Sequence, residues 1–206
     1  MNDWVLPAVV SFSLVLLGGM IFVSVNAEFK QRWMHPAHSM TLVSLSLEDN
    51  EIMPYACTRD KGASNWSPDL SWSNVPEETQ SFVLTCEDPD APRKEPFVHW
   101  LMYNISSELR SLPERIGRDV EVMMDSKIIG IQSINDFGEV GYDGPCPPIG
   151  HHPKNEDGYH HYIFTLYALK KPLNFDQNKK ITRQDLLAAM KDLVLATGRL
   201  VGKYKR

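Results

Sequence analysis

The chain has 206 residues, 43% of them hydrophobic and 23% charged, with 21 Lys plus Arg against 26 Asp plus Glu and a formal charge of −5. That length fits one domain, and that balance excludes wholesale disorder. Mild acidity argues against nucleic acid as a partner, since such binders carry a basic face, and three cysteines are too few for a disulfide scaffold.

Residues 4–27 contain no charge. As a helix, the apolar run 5–25 spans roughly 31 Å at about 1.5 Å per residue, enough to cross a bilayer. Val25 and Ala27 stand three and one before a cut at Glu28, a signal-peptidase pattern. Residues 1–27 are therefore a cleaved signal peptide or a retained membrane anchor. Met1-Asn2-Asp3 lacks the basic residues of an ordinary signal peptide. Lys30 and Arg32 obey the positive-inside rule for a domain facing the cytoplasm. The cut site favours the opposite reading: export to a periplasmic or extracellular space, or a single-pass anchor.

Residues 28–40 read as a linker, and 41–206 as the domain. Leu42, Leu45 and Leu47 alternate imperfectly and predict a strand over 41–47. Residues 57–80 are turn-rich. The apolar run 81–86 predicts a buried strand, 97–105 a second and the β-branched 127–134 a third. Residues 136–158 are rich in Gly and Pro, and a loop that long in a compact domain is usually functional. The strongest strand is 159–169. Thr182 and Asp185 have capping-box spacing, and Leu186, Leu187, Met190, Leu193 and Val194 then recur with helical period.

Four constellations carry chemistry. In Asp88-Pro89-Asp90-Ala91-Pro92, two carboxylates one residue apart point the same way if the prolines keep the chain extended. His99-Trp100 lies in an apolar strand, where alternation puts Phe97, His99, Leu101 and Tyr103 on one face. The loop from Gly141 to Gly150 (GYDGPCPPIG) offers backbone N–H groups that can cradle an anion. In His160-His161-Tyr162-Ile163-Phe164, His160, Tyr162 and Phe164 share one face and His161 takes the other. Each pattern alone is also what a turn or a core histidine produces.

Together, in this order, D-P-D-A-P, H-W, G-Y-x-G-P-C-P-P-x-G and H-x-Y-x-F resemble the phosphatidylethanolamine-binding protein family, also called Raf kinase inhibitor-like proteins. Tyr55-x-Cys57, Ser67-Pro68-x-Leu70-Ser71-Trp72, Asp136-Phe137-Gly138 and Leu200-Val201-Gly202-x-Tyr204 extend the likeness to the bacterial branch. The resemblance covers about residues 41–206. It implies a mainly β fold: an antiparallel β-sandwich of two sheets with a C-terminal α-helix, here preceded by an N-terminal apolar helix. It also implies a small pocket for anions such as phosphate groups, built by Asp88, Asp90, Pro92, His99, Gly144, Pro148, His160 and Tyr162. In that pocket the acids orient and charge His99 and His160, and the protonated imidazoles meet the ligand.

The family's usual H-R-Y is His160-His161-Tyr162 here, and 151–159 is longer than the usual link. That link is expected to act as a lid or to hang at the rim, and His151→Ala on it to leave the pH dependence of anion binding nearly intact. The leading function is a non-enzymatic binding module for small anions, with a kinase or protease as a candidate protein target and no cofactor or metal. Two alternatives stand beside it: a metal-dependent enzyme using the His/Asp cluster, and a lipid carrier. The resemblance places Cys57 and Cys146 at the pocket end as a disulfide pair, with Cys86 a buried thiol.

Overall fold

The computed structural model describes residues 38–153, 155–176 and 179–206. The apolar segment 5–25, its cut site and the expected N-terminal helix lie outside the described residues. Among those described, no helix is long and apolar enough to cross a membrane.

Among the described residues the strands are β1 (His38–Ser39), β2 (Thr41–Val43), β3 (Glu51–Ile52), β4 (Leu70–Ser73), β5 (Ser81–Asp88), β6 (Phe97–Ser106), β7 (Ser111–Leu112), β8 (Glu121–Met124), β9 (Lys127–Gln132), β10 (His160–Leu169) and β11 (Val194–Tyr204), with one α-helix, α1 (Arg183–Met190). The larger sheet runs β1-β11-β10-β5-β6-β9-β8, with β3 also on β11, and the smaller runs β2-β4-β7. The ladders are antiparallel except that β1 and β3 run parallel to β11. His38 and Ser39, assigned to the linker by sequence, thus pair with Ala196 and Thr197.

Both faces of the larger sheet are covered. Phe82, Leu84, Trp100, Met102, Phe164 and Leu166 pack against Leu42, Leu70, Trp72 and Leu112 of the smaller sheet. Val83, Leu101, Tyr103, Tyr167 and Leu169 pack against Leu186 and Met190 of α1. This is why 81–86 is mostly apolar: all six residues are buried, on alternating faces. Burying a side chain the size of Phe82 stabilises by about 1.5–3 kcal/mol.

Three elements differ from expectation. The first strand stops at Val43, because Asp69 accepts Ser44 Oγ–H at 3.0 Å, Leu45 N–H at 2.8 Å and Ser46 N–H at 3.0 Å and turns the chain outward. Helix α1 has its Thr182–Asp185 capping box but ends at Met190. Leu193 and Val194 leave the helical pattern because β11 starts there and zips along the whole of β10. In β6 the expected alternation breaks at His99. Cys86 pairs with Trp100 but Glu87 pairs with Val98, so His99 is the extra residue of a bulge. Phe97 and His99 consequently face the pocket, while Leu101 and Tyr103 face α1.

All three cysteines are free, which corrects the expected Cys57–Cys146 disulfide. The backbones do meet: Arg59 N–H donates to Pro145 O at 2.9 Å. The side chains part, Cys57 into the core and Cys146 to the pocket wall. Burial is the main cause that pushes the Cys57 thiol up to about 11, so it carries little of the thiolate that forms disulfides. Cys86 is buried in β5, as expected. Thiol titration of denatured, unreduced protein should count three thiols; a count of one would restore the bridge.

Candidate functional site

Strands β5, β6 and β10 are neighbours in the larger sheet, and the end of β5 meets the starts of β6 and β10. That edge carries the chemistry. Asp88, the last residue of β5, is buried. Its Oδ1 accepts Asp90 N–H at 2.8 Å and its Oδ2 accepts His160 Nδ1–H at 2.7 Å. Asp90 does not share this pocket. Its Oδ2 accepts His161 N–H at 2.9 Å and lies 2.7 Å from His161 Nδ1. The carboxylates diverge because the chain turns after Asp88 and because successive residues of β10 face opposite ways.

His99 also departs from its expected role. Its Nδ1 lies 2.6 Å from the carbonyl oxygen of Asp143, so Nδ1 carries the hydrogen. The ring packs among Phe97, Phe137 and Tyr162, with centroids 4.9–5.5 Å away. Burial lowers the His99 pKa, and this outweighs the opposing pull of the Asp143 carbonyl and the Asp88 charge. His99 is therefore a neutral imidazole that presents a lone pair, not a cationic donor.

Asp143 was not singled out from sequence, yet it organises the site. Its buried carboxylate accepts Asn65 Nδ2–H at 2.7 Å, Asn135 Nδ2–H at 2.8 Å and Arg118 Nη2–H at 2.7 Å. Burial alone would raise its pKa, but these hydrogen bonds outweigh burial and hold it below the usual carboxylate range. Gly144 serves packing. A Cβ there would lie 1.9 Å from Cys57 O, and its N–H donates to Asn65 Oδ1 at 2.8 Å, leaving no group for a ligand.

The resulting cavity holds about 300 Å³. Pro92, Phe97, Phe137, Pro147, Pro148 and Tyr162 make its apolar walls, and Asp88, His99 and His160 its polar base. Burial, reinforced by the Asp88 charge, raises the Tyr162 hydroxyl pKa and keeps the proton on. Of the expected set, Asp88, Pro92, His99, Pro148, His160 and Tyr162 converge here; Asp90 and Gly144 do not.

Three arginines that sequence reading missed lie at the pocket: Arg93 lines it, and Arg59 and Arg206 contact its wall residues Phe137 and Cys146 without lining it themselves. Arg93 lies 2.9 Å from Asp136 and 5.4 Å from the Phe97 ring centre. Arg59 lies 4.3 Å from the Phe137 ring centre and 3.4 Å from Asp143. Arg206 Nη1 lies 3.3 Å from Cys146 Sγ, with Nε 3.0 Å from Asp60. No local motif marks them, because their acidic partners are distant in sequence.

The long link is fastened to the sheet. Asp157 lies 3.3 Å from His161 Nε2 and 3.7 Å from Lys203 Nζ, and Asn155 Nδ2–H donates to Tyr159 O at 2.7 Å. His151, on the link expected to act as a lid or to hang at the rim, has its Nδ1 2.8 Å from His160 Nε2. Among the described residues, no three His, Cys, Asp or Glu side chains converge on a metal position.

A family model described as phosphatidylethanolamine-binding protein matches residues 43–205. A UPF0098 protein of Aquifex aeolicus is 40% identical over 168 residues, covering 81% of this chain and 89% of its own. The crystal structure of YbcL from Escherichia coli, described as a new member of the mammalian family, superposes with a TM-score of 0.68 at 30% identity, covering 82% of this chain and 99% of its own. A homologue from Chlamydia trachomatis gives 0.66 at 33% identity, with the same coverage. This chain belongs to the phosphatidylethanolamine-binding protein family. The family fold accounts for the two sheets and the C-terminal helix α1.

The neutral state of His99 has a consequence for stability. Its folded pKa lies below the ordinary 6.5, so the unfolded chain takes up a proton first as pH falls. Stability from this group is complete above that value and is lost as pH drops towards the folded pKa. Urea unfolding between about pH 7.5 and pH 5 should show a shallower loss in His99→Asn than in wild type. Equal slopes would mean that His99 does not resist protonation.

Proposed function

We propose that this protein is a non-enzymatic binding module for small oxyanions, phosphate-type groups foremost. The observation that carries the reading is a histidine held by a buried carboxylate at the base of a pocket lined by Arg93, with Arg59 and Arg206 against its wall residues Phe137 and Cys146. Asp88 fixes a proton on His160 Nδ1, so a protonated His160 donates from Nε2 as well. Each arginine has its own acid partner, and Arg93 adds a guanidinium group to the pocket wall. Apolar walls exclude water and strengthen a charged hydrogen bond at the base. The location follows the sequence reading: residues 5–25 export or anchor the domain outside the cytoplasm. A reporter fused after residue 40 should be active only in its exported form, and activity of a cytoplasmic reporter alone would reverse that topology.

Sulfate is the cleaner probe of the pocket, because phosphate changes its own charge near neutrality. Calorimetric titration should show tighter sulfate binding at about pH 5.5 than at about pH 8, across the range where histidine exchanges its proton. His160→Ala should lose the charge-assisted bond, on the order of 1.5–3 kcal/mol or roughly 10- to 150-fold in affinity. Equal affinity at both pH values and in the variant would remove His160 from the site.

A further inference from the structure

Both ring nitrogens of His160 already have partners, and only one of those partners is a carboxylate. Nδ1 meets Asp88 Oδ2 at 2.7 Å; Nε2 meets His151 Nδ1 at 2.8 Å. The Asp88 carboxylate is an acceptor, so His160 Nδ1 keeps its hydrogen. The contact between the two imidazoles then needs one proton shared by two nitrogens. Either His151 donates to a neutral His160, or a protonated His160 donates to a neutral His151. In neither arrangement is Nε2–H of His160 available to a ligand. A second proton on the pair opposes two N–H groups, and the contact opens.

We infer that His151 is a specificity-determining residue which occupies the anion position on His160, so that an oxyanion binds by exchange for this imidazole. The inference rests on the anion-binding reading and adds the step that gates it. The ligand takes Nε2–H of His160 as the pair gains its second proton, and the charge of the anion offsets that proton.

The exchange is a side-chain movement, because the backbone around His151 is held. His151 N–H donates to Pro148 O at 3.0 Å, Gly150 N–H donates to Arg206 O at 3.4 Å, and Pro153 is buried. Outside His151 lies a second cleft of about 430 Å³, with Asp90, Arg93, His152 and Asn155 in its walls, which has room for the displaced ring. The groups facing the pair are accounted for on every side. Asp88 comes from β5, the neutral His99 from β6 and Tyr162 from β10. Cys146 comes from the Gly-Pro loop, with Arg206 against it. On the cleft side, Asp90 is taken by His161, Arg93 by Asp136, and His152 is exposed to solvent. The imidazole pair is thus the contact left for an incoming anion to exchange with.

The test is sulfate titration of the full chain and of His151→Ala, at about pH 8 and about pH 5.5. Removing the competing imidazole should tighten sulfate binding at the higher pH by about 2- to 12-fold, the worth of one ordinary hydrogen bond. A smaller gain is expected at the lower pH, because a second proton on the pair opposes the same contact, so the variant's pH dependence should be shallower. Nitrogen NMR of the wild-type imidazoles should show His151 and His160 shifting together when sulfate is added. If wild type binds sulfate and His151→Ala binds it equally or more weakly at the higher pH, the exchange is wrong and the anion pocket stands. If neither protein binds sulfate at either pH, the pocket reading itself fails, and the exchange with it.

Discussion

The buried carboxylate of Asp143 is the constraint on which the pocket depends. An ionised group removed from water is costly unless it is surrounded by donors. Arg118, Asn65 and Asn135 supply them from three separate stretches of chain. Satisfying one charge therefore fixes the positions of three loops relative to each other. The same residue acts through its backbone: its N–H donates to His99 O at 3.0 Å and its carbonyl accepts from His99 Nδ1. The tautomer of a pocket histidine is thereby set by a residue that does not line the pocket. The neighbours of Asp143 complete the clamp. Tyr142 O–H donates to Cys57 O at 2.7 Å, and Gly144 lets the loop backbone lie against that same carbonyl.

The sheet supplies the other half of the site. β5, β6 and β10 are long and have both faces covered, so their ends are rigid platforms. Asp88 ends β5 and His160 begins β10, which places acid and base at hydrogen-bond distance without a loop between them. The bulge at His99 turns that ring inward while leaving Trp100 in the core, where its Nε1–H donates to Gln132 Oε1 at 2.7 Å. A strand of unbroken alternation would put His99 and Trp100 on opposite faces.

Much of this was legible in the sequence, and the failures have physical causes. The buried strands announced themselves because apolar runs of six or more residues have few other uses. Thr182 and Asp185 marked the helix start, since a capping box is a local interaction. The helix end was not legible: Leu193 and Val194 fit a helical period, but their place is decided by a ladder to residues far earlier in the chain. The face of His99 was misjudged because a bulge depends on the partner strand. Asp143 lay inside a quoted motif and passed unnoticed, since its meaning resides in Asn65, Arg118 and Asn135. Its one local signal was an acid set between Tyr142 and Gly144 in an otherwise apolar stretch.

Charge at the pocket is balanced so that one proton decides its character. Arg59, Arg93 and Arg206 each face an acid, and Asp90 is spent on His161. His99 is neutral by burial. What is left is Asp88 against the imidazoles of His160 and His151. With one proton on His160 beyond its neutral form, the base of the pocket is an ion pair; with a second on His151, it gains a net positive charge. The proposed exchange of an anion for His151 therefore acts on groups that the fold already holds within hydrogen-bond distance. The 151–159 link is therefore not a surface decoration. By carrying His151 to His160 and anchoring itself through His161, it ties both unusual features of this chain to one pair of neighbouring histidines on β10.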